Sequence, residues 1–235
     1  QTFPTDTEKA IAETKVKVAF DDKFIYIAAI LLNPEPRKKY VSTSLRRDYR
    51  GNQNDGISIV IDTFNDKTNG YIFGVNPYGV QREAMVGNGG LLSTDFNLAW
   101  DNKWYSEAKI HEDHWIVEIG IPLSTLRYKD GAKDWNINFY RIDSKYSEKT
   151  TWTPIPKAFN VTHTAFSRNL HFSEPLPKSG GNYSIIPYAA MASSNNSIKG
   201  IKEPMKPSFG GDAKIGIGPA MNLDLTVNPD FSQVE

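Results

Sequence analysis

Two tryptophans bracket a short polar run in a segment that is predicted to be a loop. Trp100 and Trp104 flank Asp101, Asn102 and Lys103, between a glycine-rich loop and a predicted strand. The flat face of an indole ring covers the apolar C–H face of a pyranose, while neighbouring amide and charged groups bond its hydroxyls. We therefore predict that both indoles stack on a sugar ring. The alternative is burial in the core, above all for Trp104, where a strand begins.

The adjacent predicted hairpin carries further side chains for the same face. Its two strands are joined by the tetrad NPYG, whose proline and glycine suit a turn. We predict that Tyr71, Asn76 and Arg82, together with Asn102, bond the hydroxyls of the ligand. Cross-strand packing of the aromatic side chains is the alternative account of this hairpin.

Side chains that could catalyse a reaction lack a distinguishing context. A glycosidase needs two carboxylates that face each other across a sugar, and Glu83, Glu107 and Glu118 lie in predicted strands with no such signature. His111 and His114 flank a hairpin turn without a third metal ligand, and the sequence has no HExxH or GxSxG motif. We therefore predict that the chain is not an enzyme, but at most an accessory module of a glycoside-hydrolase-like protein.

Acidic side chains in predicted loops make a structural calcium ion the one candidate cofactor. Calcium takes oxygen ligands from carboxylates and carbonyls in loops, although most turn aspartates only bond their own backbone. No particular ligand set is singled out. The loop or strand-end residues considered are Asp21, Asp22, Asp55, Asp62, Asn65 and Asp66.

The composition excludes several classes of protein. The 235 residues include 27 basic and 27 acidic side chains, so the net charge is zero and broad capture of nucleic acid is excluded. The absence of cysteine excludes disulfides, thiol catalysis and cysteine-ligated zinc. The chain opens at Gln1 without a signal pattern and ends just after a strand pattern. We therefore expect it to be a piece of a longer protein.

The elements that must position these residues are predicted to be strands. Apolar side chains alternate through Lys15 to Phe20 and Gly56 to Asp62, and aromatic residues make up 12% of the chain. Turn signals recur at spacings near ten residues. This pattern predicts an all-β fold, an antiparallel β-sandwich, over residues 1–175.

The sequence changes character after residue 175, and residues 176–235 are predicted to form a separate β-rich domain. The segment from Leu176 to Gly181 suits a linker. The strands predicted from Asp212 to Ile217 and from Asn222 to Asn228 alternate small or apolar residues with polar ones. Such extra C-terminal strands suit an outer-membrane barrel and a second soluble sheet equally well.

Four sequence runs occur in an order and spacing that resemble the family 9 carbohydrate-binding module and its relatives. They are TKVKVAFDDKFIYIAAILL, NDGISIVIDTFND, WIVEIGIPLSTLRY and WNINFYRID, and the resemblance covers about residues 1–172. It implies a β-sandwich of the kind often appended to polysaccharide-degrading enzymes. Members that bind sugar clamp it between two exposed tryptophans beside acidic and arginine side chains. Ser58 stands here at a strand position where an acid would be expected.

The last residues carry a second resemblance. The run NLDLTVNPDFSQVE is similar to the opening of a largely uncharacterised domain family of Gram-negative bacteria, which follows family 9-like modules and is expected to form an outer-membrane barrel. The resemblance implies a location in the cell envelope, in the periplasm or outer membrane. It also implies that the remaining barrel of the same polypeptide is a partner.

Together these features predict a non-catalytic carbohydrate-binding module of a bacterial cell-envelope protein, which contributes to polysaccharide recognition or catabolism. Its predicted ligand is an oligo- or polysaccharide, and nucleic acid is not a predicted partner. The alternative is a structural or interaction module, such as a plug or protein-binding sandwich on an outer-membrane barrel.

Overall fold

The computed structural model describes residues 2–3, 9–178, 183–192, 195–196, 201–202, 206–217 and 221–228. Within these residues the regular structure consists of strands and short 3₁₀ helices, without an α-helix, and no helix there has the length and hydrophobicity to cross a bilayer. The chain divides into two compact units, Gln1–Ser179 and Gly180–Glu235. The strands of the first unit are β1 (Thr2–Phe3), β2 (Thr14–Phe20), β3 (Phe24–Leu32), β4 (Gly56–Asp62), β5 (Gly70–Val75), β6 (Gln81–Val86), β7 (Phe96–Asn97), β8 (Tyr105–Ile110), β9 (His114–Pro122), β10 (Asp134–Asp143), β11 (Glu148–Thr151) and β12 (Arg168–His171).

These strands form two antiparallel sheets. Sheet A has the order β1-β11-β10-β4-β5-β6-β7, with β12 also paired to β10. Sheet B has the order β2-β3-β9-β8. Short 3₁₀ helices interrupt the connections between strands. They span Gly51–Gln53, Asn88–Gly90, Ser93–Asp95, Leu123–Thr125 and Thr164–Phe166.

The core lies between the two sheets because apolar side chains alternate along the central strands. In β3 the inward residues Ile25, Ile27 and Leu31 are buried, and they face Ile59 and Phe73 of sheet A across the core. Each such side chain stabilises the fold by about 1.5–3 kcal/mol when it is fully buried. The predicted all-β antiparallel sandwich is therefore confirmed.

The outer face of sheet A is also covered. Val60 and Ile72 point away from the main core, into a second apolar cluster with Tyr140 and Val161. Strands β4 and β5 are consequently buried on both faces, which accounts for the nearly continuous apolar run ISIVI in β4. The outer face of sheet B is less covered, since Tyr26, Ala28 and Ile30 of β3 and Glu118 of β9 are exposed there and the other outward residues of both strands are only partly buried.

The second unit contains the extra C-terminal strands. They are β13 (Tyr183–Ala192), β14 (Asn195–Asn196), β15 (Ile201–Lys202), β16 (Lys206–Ile217) and β17 (Met221–Val227). Strands β13, β16 and β17 form one antiparallel sheet, and β14 pairs with β15. The register places exposed apolar side chains on one face of the three-stranded sheet, namely Tyr183, Ile185, Met191, Phe209, Ile215, Leu223, Leu225 and Val227.

Candidate functional site

Four of the six predicted ligand contacts lie near a buried carboxylate at the edge between β6 and β8. The side chain of Glu83 has no exposed area, and its carboxylate accepts hydrogen bonds from Trp104 Nε1 and from the backbone N–H of Asn102, both at 3.2 Å. It also pairs with the guanidinium of Arg47, whose Nε lies 3.1 Å from Glu83 Oε1. A buried charge needs such partners, because an unpaired one is costly to desolvate.

Arg47 extends this network to two further elements. Its Nη1 donates to Gln81 Oε1 and its Nη2 to the carbonyl of Asn102, each at 2.8 Å. The guanidinium thereby ties the loop before β4 to β6 and to the loop before β8. The arrangement closes one edge of the sandwich, so we assign it a structural role.

The aromatic side chains predicted to stack on a sugar mostly face the core. Trp104 is only 4% exposed, and its ring packs edge-on against Phe73 at 5.3 Å between centroids. A ring that is sealed on both faces cannot stack on a ligand, so the placement of Trp104 in a sugar site does not fit the structure. Trp100 is partly buried against Tyr71, at 5.0 Å between ring centroids. Tyr71 is itself 6% exposed, and its hydroxyl accepts the backbone N–H of Arg127.

Asn76 and Asn102, the two amide side chains predicted to contact the ligand, are hydrogen-bonded to groups of the protein itself. The side chain of Asn76 is fully buried, and its Oδ1 accepts the backbone N–H groups of Tyr78 and Val80 at 3.0 and 2.9 Å. It closes the turn after β5, so its predicted role as a ligand contact does not fit either. Asn102 is partly exposed, and its Nδ2 donates to Thr125 Oγ1 at 3.0 Å.

Arg82 lies on the other face of sheet A, away from Glu83. Its stem packs over Gly74, and its guanidinium carbon is 5.8 Å from the centroid of the Tyr49 ring. The loop before β4 covers this pair at Gly51, where an added Cβ would collide with the guanidinium. Burial raises the pKa of the Tyr49 hydroxyl. The structure therefore brings Tyr71, Trp100, Trp104 and Asn102 together, but not Asn76 and Arg82.

Four of the residues considered for calcium, Asp21, Asp55, Asp62 and Asp66, accept hydrogen bonds from backbone N–H groups. The carboxylate of Asp62 accepts the N–H groups of Phe64 and Lys67, and that of Asp55 accepts those of Val41 and Ser144. In the described part of the chain, no three His, Asp or Glu side chains are grouped so as to hold a metal ion. A structural calcium ion stays a prediction.

A cleft opens at the opposite edge of the sandwich, where β2 faces β10 and β12. It has a volume of about 900 Å³. Because β2 is the edge strand of the smaller sheet, its inward residues Val16 and Val18 are only half-buried, and the cleft reaches between the sheets to Phe139. Polar and aromatic side chains complete the lining, namely Lys9, Glu13, Thr14, Arg141, Thr150, Thr151, Trp152 and Asn169.

Trp152 is the most exposed aromatic group that lines this cleft. Its side chain is 49% exposed, and its ring packs edge-on against Phe139 at 6.0 Å between centroids. The guanidinium carbon of Arg168 lies 5.8 Å from the ring centroid. The backbone N–H of Trp152 donates to the carbonyl of Phe139 at 2.9 Å, which fixes the chain after β11.

Sequence reasoning missed Trp152, although a signal was present. Trp152 directly follows β11, which ends at Thr151, and Thr153 and Pro154 come next, so no inward-facing alternation continues through it. Such a position offers a tryptophan no place in a sheet core. The sequence predicted a strand from Lys15 to Phe20, but it did not show that this strand forms the edge of sheet B and leaves the cleft beside Trp152 open.

Arg141 forms part of the cleft wall without being available for a ligand. It is 4% exposed, and its guanidinium donates to Asp143 Oδ2 at 2.7 Å and to the carbonyl of Leu32 at 2.8 Å. A further bond reaches the carbonyl of Glu13 at 3.3 Å. This buried cation therefore joins sheet A to both ends of the β2–β3 hairpin and stiffens the cleft.

Two packed layers of antiparallel strands define the first unit as a β-sandwich domain. The family model described as carbohydrate family 9 binding domain-like matches residues 2–166, and the chain belongs to that family. A comparison with curated proteins gave no match.

Solved structures share the fold at low sequence identity. Two are of a family 9 carbohydrate-binding module from Caldicellulosiruptor kristjanssonii. The complex with glucose has 15% identity and a TM-score of 0.50, and covers 72% of this chain and 80% of that one. The complex with cellotriose has 15% identity and a TM-score of 0.51, and covers 72% and 78%. A candidate carbohydrate-binding protein from Bacteroides uniformis has 16% identity and a TM-score of 0.58, and covers 73% and 82%.

Proposed function

We propose that this chain is a non-catalytic carbohydrate-binding domain and that a sugar occupies the cleft beside Trp152. The observation that carries the proposal is an indole with half of its surface exposed at the mouth of a cleft of about 900 Å³. Family membership and the glucose and cellotriose complexes of similar folds support the same ligand class.

The lining of the cleft suits a sugar in its chemistry. The exposed indole surface of Trp152 provides an apolar plane for the C–H face of a pyranose ring. Asn169 and Glu13 are exposed side chains of the cleft lining, and they offer an amide and a carboxylate to hydroxyl groups. The stiff wall around Arg141 holds the cleft open, so little ordering is needed when the ligand binds.

Titration with sugars, followed by tryptophan fluorescence, tests the proposal. A panel of oligosaccharides that includes free reducing ends should contain at least one that produces a saturable change in emission. Trp152→Ala should abolish binding of that sugar, while Trp152→Phe retains part of it because a phenyl ring still stacks. The variant Trp100→Ala tests the prediction that Trp100 stacks on a sugar, because this side chain is partly exposed near Asn102. No response across the whole panel would contradict a carbohydrate-binding role.

We further propose that residues 176–235 begin an outer-membrane β-domain of a Gram-negative cell-envelope protein that acts in polysaccharide recognition or catabolism. The apolar face of the sheet β13-β16-β17 supports this proposal, since Ile185 and Phe209 are each 72% exposed on it. Strands of membrane barrels turn such a face toward lipid. Expression of the full-length gene product followed by membrane fractionation tests the location.

The same face favours a second candidate function, a structural or interaction module built onto the rest of the polypeptide. Deleting residues 180–235, the second compact unit, separates the two functions. An independent binding domain stays soluble and keeps its sugar affinity after the deletion. A module that depends on the following strands loses a packing surface and aggregates.

A further inference from the structure

Three aromatic rings surround a gap on the outer face of sheet B. The antiparallel register sets Tyr26 of β3 and Tyr105 of β8 on either side of Gly120 in β9. Gly120 has no side chain, so the rings border a hollow of about 560 Å³. Phe24 lies 5.6 Å from Tyr26 and 6.1 Å from Tyr105 between ring centroids. We call Phe24, Tyr26 and Tyr105 the aromatic platform.

The platform is exposed and held in place. Tyr26 and Tyr105 are 40% and 51% exposed. The hydroxyl of Tyr26 donates to Asp21 Oδ2 at 2.9 Å, and Asp21 Oδ1 accepts the backbone N–H groups of Lys23 and Phe24 at 2.7 Å each. The hydrogen bond to Asp21 raises the pKa of the Tyr26 hydroxyl. A ring anchored in this way loses little freedom when a ligand stacks on it.

Two carboxylates lie in the next row of the same hollow. Glu118 of β9 and Glu107 of β8 stand directly opposite each other on the outer face. Within the described residues, neither carboxylate has a basic side chain within 4 Å, and Lys17 lies across Ala28 from Glu118. Like charges opposite each other in a sheet are destabilising. Such a pair supplies strong acceptors for hydroxyl donors of an uncharged ligand.

We propose that the aromatic platform is a second carbohydrate-binding surface, at which sugar rings stack on Tyr26 and Tyr105 while hydroxyls donate to Glu107 and Glu118. The inference rests on the proposed function and adds a face remote from the cleft beside Trp152. A shallow hollow on an open sheet suits an extended polysaccharide chain. An apolar protein partner is disfavoured, since it would bury the opposed carboxylates of Glu107 and Glu118.

Affinity electrophoresis of the full chain in gels containing soluble β-glucan, xylan, mannan or starch tests the platform. At least one polysaccharide should retard the wild-type chain, and Tyr105→Ala should weaken its affinity about tenfold, as expected for removal of a central aromatic contact. Glu118→Gln should weaken it in the same direction. Tyr78→Ala removes a tyrosine of similar exposure, 50%, outside the platform and should migrate like wild type.

Tryptophan fluorescence distinguishes this proposal from the proposed function. The platform contains no tryptophan, so Tyr105→Ala should leave the fluorescence titration with short oligosaccharides unchanged. The affinity that remains in Trp152→Ala should fall by about the same tenfold factor when Tyr105→Ala is added. Equal retardation of wild type and Tyr105→Ala, or no retardation of wild type by any polysaccharide, would overturn the platform. A fluorescence response lost in Trp152→Ala would meanwhile still support the cleft.

Discussion

The buried side chain of Glu83 closes one edge of the sandwich through its polar contacts. The carboxylate of Glu83 on β6 accepts hydrogen bonds from the indole N–H of Trp104 and the backbone N–H of Asn102, and it pairs with the guanidinium of Arg47. Every partner belongs to the protein itself. Its environment is that of a structural ion pair at a sandwich edge.

Replacing Glu83 tests this assignment. Glu83→Ala leaves the buried N–H of Trp104 without an acceptor, so we expect a loss of about 1–3 kcal/mol in the free energy of unfolding. Glu83→Gln keeps one acceptor oxygen and should lose less. Urea unfolding followed by tryptophan fluorescence measures both values. Equal stability of Glu83→Ala and wild type would contradict the structural role.

The buried side chain of His163 makes the stability of the protein depend on pH. It is 7% exposed, and its Nδ1 accepts the N–H of Ala165 at 3.1 Å, which requires the neutral ring. Burial lowers the pKa of His163 from its ordinary value of 6.5. As the pH falls below 6.5, the unfolded chain therefore takes up the proton first, and stability declines until the folded pKa is reached.

We expect the urea midpoint to fall between pH 7 and pH 5, and to fall less in His163→Asn. Asparagine retains an oxygen that can accept the N–H of Ala165 but does not titrate. His171→Asn, which changes an exposed histidine that pairs with Asp134, is the matched control. If His163→Asn followed the same pH profile as wild type, another group would have to account for the decline.

At the scale of elements, strand periodicity accounts for most of the fold. Inward alternation in β3 and β9 is visible in the sequence, because successive side chains of a strand point to opposite faces. The pairing of distant strands is not visible there. Tyr26, Gly120 and Tyr105 form one row only because β3, β9 and β8 are neighbours in sheet B.

The opposed carboxylates of Glu107 and Glu118 lead to a prediction about the stability of sheet B. Glu118→Gln removes the repulsion from Glu107, so it should raise the free energy of unfolding by roughly a few tenths of a kcal/mol. Thermal unfolding at low ionic strength provides the measurement, and added salt should reduce the difference by screening. Lower stability of Glu118→Gln would show that the carboxylate makes a favourable contact instead.

At the scale of the whole molecule, the two units bury apolar surface to very different extents. The first encloses a core between its sheets. The sheet β13-β16-β17 instead leaves one apolar face exposed, on which Met191 is 75% exposed and Val227 is 69% exposed. Exposed apolar patches of this kind mark surfaces that bind lipid or protein.

We expect this face to promote self-association or detergent binding. The double substitution Ile185→Lys and Phe209→Lys should reduce both, since it places two charges on the apolar face. Ile186→Lys changes a residue that is 52% exposed on the opposite face and serves as the control. Sedimentation velocity with and without detergent micelles measures the effect. Unchanged sedimentation of the double variant would exclude the face as the contact surface.

The sequence by itself determined the strands, their inward faces and the antiparallel sandwich, because these follow from a period of two residues and from local turn chemistry. It also led to the family through the order of four strand runs. Tertiary structure alone decided which aromatic rings are accessible. Trp104 and Trp152 both lie at strand ends, but one is sealed by Glu83 and Phe73, while the other stands beside the open edge at β2. Exposure depends on which distant strands and loops pack over a residue, and that is a non-local property of the chain.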